Sequence, residues 1–262
     1  MSDEATILLD KREGIARLVL SNPRRKNALT LAMWRALPDL VRACEDDPEV
    51  RALILAGAGG DFCSGADISE FRVNRADEAA ARIYDVAVRE ANTALAEAGK
   101  PTVALVRGIC YGGGVALALA CDLRIAASDA RFRIPAGRLG LGYSLSDIGL
   151  VAGAIGAAAT ADLVFSARVF DATDALRDGL VRMTFDTAEF DARAKDYVEA
   201  IAENAPLTLA AAKAALVELR KPDAARDPER VAAMVARCAA SEDFAEGRAA
   251  FAEKRTPIFR GR

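Results

Sequence analysis

Short apolar runs, punctuated by glycine, proline and charge, set the rhythm of the chain to about residue 185. Ile7-Leu8-Leu9 and residues 15–20 flank Gly14 and predict a hairpin, which Ser21-Asn22-Pro23 ends. Thr30 then stands where a cap belongs, and Leu37, Leu40, Val41 and Cys44 follow the i, i+3, i+4, i+7 spacing of an amphipathic helix. Pro38 lies inside that helix and is expected to kink or shorten it. Residues 51–56 predict a short buried strand that runs into Gly57-Ala58-Gly59-Gly60. A long helix is expected over 77–98, stopped by Gly99-Lys100-Pro101, and a second buried strand over 102–106. After Cys110-Tyr111-Gly112-Gly113-Gly114 the pattern predicts an apolar helix at 115–120 and a returning strand at 122–126. The remainder reads as helices at 187–202, 206–220, 229–240 and 242–254. An α/β core over 1–200, followed by a helical region over 201–262, is the expected organisation.

Composition narrows the chemistry. The 262 residues carry 35 basic and 38 acidic side chains, a net charge of −3, which offers no basic field for nucleic acid. The acidic start Met1-Ser2-Asp3-Glu4 lacks the pattern of a secretory signal. The apolar stretch 148–161 is too short to span a bilayer, so neither a membrane nor a nucleic acid is expected as partner. Five cysteines without a C-x-x-C pair argue against a disulfide framework or zinc cluster and for a reducing, cytoplasmic setting. There is no histidine at all, which removes Ser-His-Asp and Cys-His nucleophile systems and histidine metal sites together. No resident cofactor or metal is expected.

Two glycine clusters follow buried strands: Phe62-Cys63-Ser64-Gly65-Ala66-Asp67 and the 110–114 cluster. Taken singly, each reads first as ordinary turn and packing glycine. The second also opens a helix, where the first N–H groups have no internal acceptor and carry the positive end of the dipole. Two such N–H groups aimed at one point would stabilise an oxyanion. No dinucleotide fingerprint or Walker-type loop is present, and Ser64 has no histidine to activate it.

The order and spacing of several motifs resemble the enoyl-CoA hydratase/isomerase (crotonase) superfamily. They are Ser21-Asn22-Pro23 with Asn27-Ala28-Leu29, Phe62-x-x-Gly65-Ala66-Asp67-Ile68, Gly112-Gly113-Gly114 with Cys121-Asp122, residues 175–181, and Phe251-x-Glu253-Lys254-Arg255. The resemblance implies a spiral of ββα units with C-terminal helices that assemble homotrimers or hexamers. It implies an acyl-CoA thioester as partner, with coenzyme A entering as part of the substrate. It places the thioester oxygen on the N–H groups of Ala66 and Gly113, beside Gly112. It sets Arg24, Ala28, Asp67 and Ile68 near the nucleotide of CoA, and lets Phe251 and Lys254 reach that of a neighbouring subunit. Arg24 reads equally as a solvated surface charge.

The chain departs from the family where hydration needs it most. Hydratases of this family hold and activate water with two glutamates, and the matching positions here are Ala116 and Ala136. By the same comparison Ser144 replaces the catalytic aspartate of some isomerases and dehalogenases. The loop Leu139-Gly140-Leu141-Gly142-Tyr143 instead resembles that of methylmalonyl-CoA decarboxylase, whose tyrosine sits at this position. Tyr143 thus reads either as an orienter of a substrate carboxylate or as a pocket-lining aromatic. Asp147 reads either as a relocated acid or as a helix cap. Cys110 and Cys121 read as small buried residues, and Trp34 and Tyr84 as core or pocket walls. Enolate chemistry on an acyl-CoA is the resulting expectation, with decarboxylation of a malonyl-type thioester slightly ahead of atypical hydration or isomerisation. A catalytically silent acyl-CoA binder is the remaining alternative.

Overall fold

The computed structural model describes residues 4–262. Two sheets organise the α/β part. Strands Thr6–Arg12 (β1), Ile15–Ser21 (β2), Ala52–Gly57 (β3) and Thr102–Val106 (β4) lie side by side in the larger one. Ile109–Tyr111 (β5) leaves it, so that Leu123–Ala127 (β6) pairs directly with β4. Arg131–Arg133 (β7) and Phe170–Asp171 (β8) complete a three-stranded sheet with β5, and Met183–Phe185 (β9) closes the edge of the six-stranded sheet beyond β6. β1 and β2 are antiparallel, in the register Leu8↔Val19, and the other pairs of the large sheet are parallel. The expected hairpin is present.

The helices are Leu31–Glu45 (α1), Phe71–Asn74 (α2), Glu78–Glu97 (α3), Gly113–Ala120 (α4), Ala136–Leu139 (α5) and Leu145–Phe165 (α6). Ala172–Arg177 (α7), Phe190–Ala202 (α8), Pro206–Leu219 (α9), Pro228–Ala239 (α10) and Glu242–Glu253 (α11) follow. Residues of β3 alternate between two cores. Leu53 and Leu55 face a core with Trp34, Phe62 and Tyr84, while Ala52, Ile54 and Ala56 face a smaller one that α8 covers with Phe190, Ala194 and Val198. Continuous burial along β3 and β4 is what a parallel strand covered on both faces requires.

Thr30 caps α1 by accepting the Met33 N–H. Of the two effects expected of Pro38, shortening is not observed: the helix continues to Glu45. Burial of Met33, Trp34, Leu37, Val41 and Cys44 along one face outweighs the one N–H bond that proline forgoes.

α6 also differs from expectation. It begins at Leu145, three residues earlier than the apolar stretch suggests, and its 21 residues are long and apolar enough to cross a membrane by length and composition. Gly156, at φ 75 and ψ 165, interrupts it, and the two regular halves are each shorter than the ~20 residues a span requires.

α9 is anchored by the buried Lys213, whose ammonium meets Asp122 at 2.6 Å. Asp122 also accepts from the Thr102 N–H and hydroxyl, so one carboxylate joins β4, the turn before β6 and α9.

Candidate active site

Each glycine cluster begins where a strand of one sheet hands over to the other. Cys63 pairs with Cys110 in a single parallel bridge, its N–H donating to the Ile109 carbonyl and its carbonyl accepting from the Tyr111 N–H. Three residues further on, Leu29 bridges Ala66 in the same manner. Leu29 takes up the Gly65 carbonyl and the Asp67 N–H, at 2.8 and 2.9 Å. Peptide groups alternate in direction along extended chain, so the Ala66 N–H points away from Leu29. Among the described residues it has no acceptor, and neither does the Gly113 N–H at the first turn of α4.

These two N–H groups are neighbours. A methyl group placed on Gly65 would lie 3.4 Å from the Gly113 nitrogen, and one on Gly113 would lie 3.6 Å from the Ala66 nitrogen. Gly65 at φ 105 and Gly112 at φ 49, ψ −114 hold backbone conformations that side chains rarely adopt. Gly112 N–H donates to the Arg133 carbonyl at 2.8 Å, which pins the turn to the small sheet just before the helix. The arrangement can present two converging donors to an anionic oxygen, backed by a helix N-terminus.

A buried asparagine pair steadies the first cluster. Asn27 accepts from the Asn22 N–H through Oδ1 and donates through Nδ2 to the carbonyls of Ala58 and Asp61, at 2.9 and 2.7 Å. Asn22 donates to the Ala28 carbonyl at 2.8 Å. The loops at 21–29 and 57–66 are thereby one unit. Ala28 is buried, Asp67 is buried and Ile68 is exposed. Asp67 caps the short turn after it by accepting from the Ser69 N–H and hydroxyl, and its other oxygen faces Arg25 at 3.4 Å. Arg24 lies on the exposed side of the same loop.

Tyr143, on the loop between α5 and α6, reaches the second cluster. Its hydroxyl is 4.0 Å from where a methyl group on Gly112 would stand. Burial, with the Asp147 charge adding to it, pushes the phenol up to about 12, so it remains an O–H donor at neutral pH. Asp147 itself is exposed and serves a capping box: it accepts from the Ser144 N–H and hydroxyl, at 3.0 and 2.7 Å, while Ser144 accepts from the Asp147 N–H. Ala116 is half-buried on α4, and Ala136 is buried at the start of α5. Neither brings a proton-transfer group.

Trp34 is buried in the main core, as one of its two sequence readings had it, and it also meets the second cluster. Its ring edge is 3.0 Å from where a methyl group on Gly113 would stand, and its Nε1–H donates to the Tyr84 hydroxyl at 2.9 Å. Burial raises the Tyr84 phenol to about 12. Only the periodicity of α1 pointed inward at Trp34, and nothing in it marks contact with a loop some 80 residues away. Cys63 and Cys121 are likewise pushed up to about 12 by burial, and Cys110 upward for the same reason, so these thiols are not thiolate nucleophiles.

Phe251 and Lys254 lie apart from this cluster. Both are exposed at the end of α11, where Lys254 forms a left-handed cap and the nearby bonds run to the tail, as in the Arg255–Glu246 pair.

The crossover spiral brings a loop N–H, that of Ala66, close to one at the start of α4, that of Gly113. Comparison with known proteins gives the family. The family model described as enoyl-CoA hydratase/isomerase matches residues 10–262. A crotonyl-CoA hydratase of Syntrophomonas wolfei is 33% identical over 254 residues, which cover 97% of each chain. An enoyl-CoA hydratase/carnithine racemase from Magnetospirillum magneticum superposes with a TM-score of 0.92 at 32% identity, covering 98% of this chain and 96% of that one. A family protein from Hyphomonas neptunium superposes with a TM-score of 0.91 at 35% identity, covering 98% of both. The chain belongs to the enoyl-CoA hydratase/isomerase family, whose members act on acyl-CoA thioesters.

Proposed function

We propose that this enzyme generates a thioester enolate by loss of CO2 from a malonyl-type acyl-CoA, with the Ala66 and Gly113 N–H groups holding the thioester oxygen. The observation that carries the reading is the pairing of those two free donors with alanine at 116 and 136. An enolate formed by hydration or isomerisation needs a base and an acid, and the two alanines supply neither. Decarboxylation breaks the Cα–COO⁻ bond, and its electron pair flows into the thioester, so no base is required. Two preorganised donors, each worth ~2.7–4 kcal/mol, match the charge that develops. Tyr143, a neutral donor beside Gly112, orients the departing carboxylate.

In this reading Arg24, Ala28, Asp67 and Ile68 flank the CoA nucleotide on the loop unit that Asn22 and Asn27 tie together. Phe251 and Lys254, at the exposed end of α11, reach the nucleotide of a neighbouring subunit in a homotrimer or hexamer. The exposed apolar residues Leu145, Phe165 and Phe251 support such an assembly.

The test is incubation with methylmalonyl-CoA and crotonyl-CoA side by side, with products followed by mass spectrometry. Loss of CO2 without hydration is the expected result. Hydration of crotonyl-CoA at ordinary enzymatic rates overturns it and points to a relocated acid and base. Tight binding of both thioesters without turnover assigns the chain to acyl-CoA binding alone.

A further inference from the structure

On the opposite face of the large sheet, α8 leaves part of the surface uncovered. Its first residue, Phe190, packs with Ala56 and Leu105, while Leu8 is exposed and Val19 only half-buried at the hairpin. A cavity of about 310 Å3 results, floored by these apolar side chains and closed at one end by the loop at 57–61. That volume and apolar floor are those of a small-molecule pocket.

The cavity wall carries two arginines, Arg17 and Arg107, and two aspartates, Asp61 and Asp191. Asp191 pairs with Arg107 at 2.9 Å, and Asp61 accepts from the Ile109 N–H and faces Lys26 at 3.8 Å. Asp10 stands opposite Arg17 in the β1–β2 register, yet its carboxylate pairs with Arg12 at 3.0 Å. Each acid near the cavity therefore has its own base, and Arg17 has no partner among the described residues. The Gly59 N–H, also at the cavity wall, has no acceptor among them either.

We propose that this cavity is a second binding site, for a small organic anion whose apolar body rests on Val19, Ala56, Leu105 and Phe190 and whose carboxylate pairs with Arg17. A guanidinium suits a carboxylate because its donors match two oxygens at once. The site is distinct from the paired N–H groups of Ala66 and Gly113, which face the other core.

The test uses 4-fluorobenzoate as probe, followed by fluorine NMR, with the full-length protein saturated with CoA so that the acyl-CoA site is filled. The probe should bind under those conditions, and the neutral 4-fluorobenzamide should not. Arg17→Gln should weaken binding about tenfold or more, the loss of one charge-assisted contact. Leu8→Asp, at an exposed position on the rim, should weaken it comparably by setting a negative charge beside the ligand. Circular dichroism melting establishes that each variant folds. Absence of probe binding to the CoA-saturated protein overturns the proposal, as does unchanged affinity in the two folded variants, or equal binding of the amide.

Discussion

Leu29 lies directly across from Ala66, engaging the carbonyl before it and the N–H after it. This bridge leaves the Ala66 N–H without an acceptor among the described residues and near Gly113, so a leucine in the loop after β2 holds the backbone of a donor in the loop after β3. Leu29 is itself 1% exposed and anchored in the main core. The geometry of the donors thus rests on packing and on the asparagine bonds that hold Leu29's loop in place.

Asn27→Ala removes one acceptor and two donor bonds, strands the buried Asn22 N–H and two part-buried carbonyls, and places alanine at φ 58. A loss of about 3 kcal/mol or more is expected. Chemical denaturation reads the stability. Calorimetry on the folded fraction should show weaker binding of CoA esters, because the loop carrying Ala66 loses its tie.

Lys213→Met strips the ammonium from Asp122 Oδ2, leaving that carboxylate with the Thr102 N–H and hydroxyl and with the Arg220 guanidinium 3.6 Å from its Oδ1. Breaking one side of such a pair costs about 3–5 kcal/mol. The double variant Lys213→Met with Asp122→Asn should lose less than Lys213→Met alone. A double-mutant cycle from urea melts checks this, and strictly additive losses would contradict the coupling.

Restoring carboxylates at the two alanines should restore hydration. Ala116→Glu with Ala136→Glu is expected to raise crotonyl-CoA hydration by at least ~100-fold over the unmodified chain, the range of general acid–base assistance. The decline of enoyl thioester absorbance measures it. Ala136 is buried, so the same variant should melt at lower temperature.

Alkaline stability follows from the two buried phenols together with the buried thiols of Cys63 and Cys121, which burial likewise raises to about 12. Tyr84 and Tyr143 rise from an ordinary value near 10, and the thiols from one near 9. Between the ordinary and the raised values the unfolded chain releases protons that the folded chain retains, so stability falls as pH rises from about 9 to 12. Melting temperature against pH should drop through that window, and less steeply in Tyr143→Phe. Below pH 9 neither phenol should contribute any pH dependence.

Much of this architecture was legible in the sequence, where one physical signal dominated. The hairpin, the helix capped by Thr30 and the buried strand Thr102–Val106 follow from periodicity and punctuation. The small sheet was not legible. Ile109–Tyr111 and Arg131–Arg133 have three residues each, too few for a period of two to declare itself, and Ile109–Tyr111 lay inside what read as a glycine turn. The start of α6 was misplaced because Asp147, rightly offered as a capping residue, closes the capping box from inside the helix while Ser144 is the N-cap. Ala66 and Gly113 came from resemblance, since no side chain marks a backbone donor. Trp34 was recognised as inward-facing, but its contact with Gly113 is a tertiary fact that α1 alone does not encode.

An enolate formed here without a base must take its new α-hydrogen from solvent, so solvent labelling distinguishes it from hydration. The enzyme is given methylmalonyl-CoA in deuterium oxide, and the product thioester is weighed by mass spectrometry. The account predicts release of CO2 and a propionyl-CoA carrying a single deuterium at its α-carbon, taken up as the enolate is quenched. Intact methylmalonyl-CoA, in a preparation that hydrates crotonyl-CoA to the 3-hydroxy thioester, would contradict it.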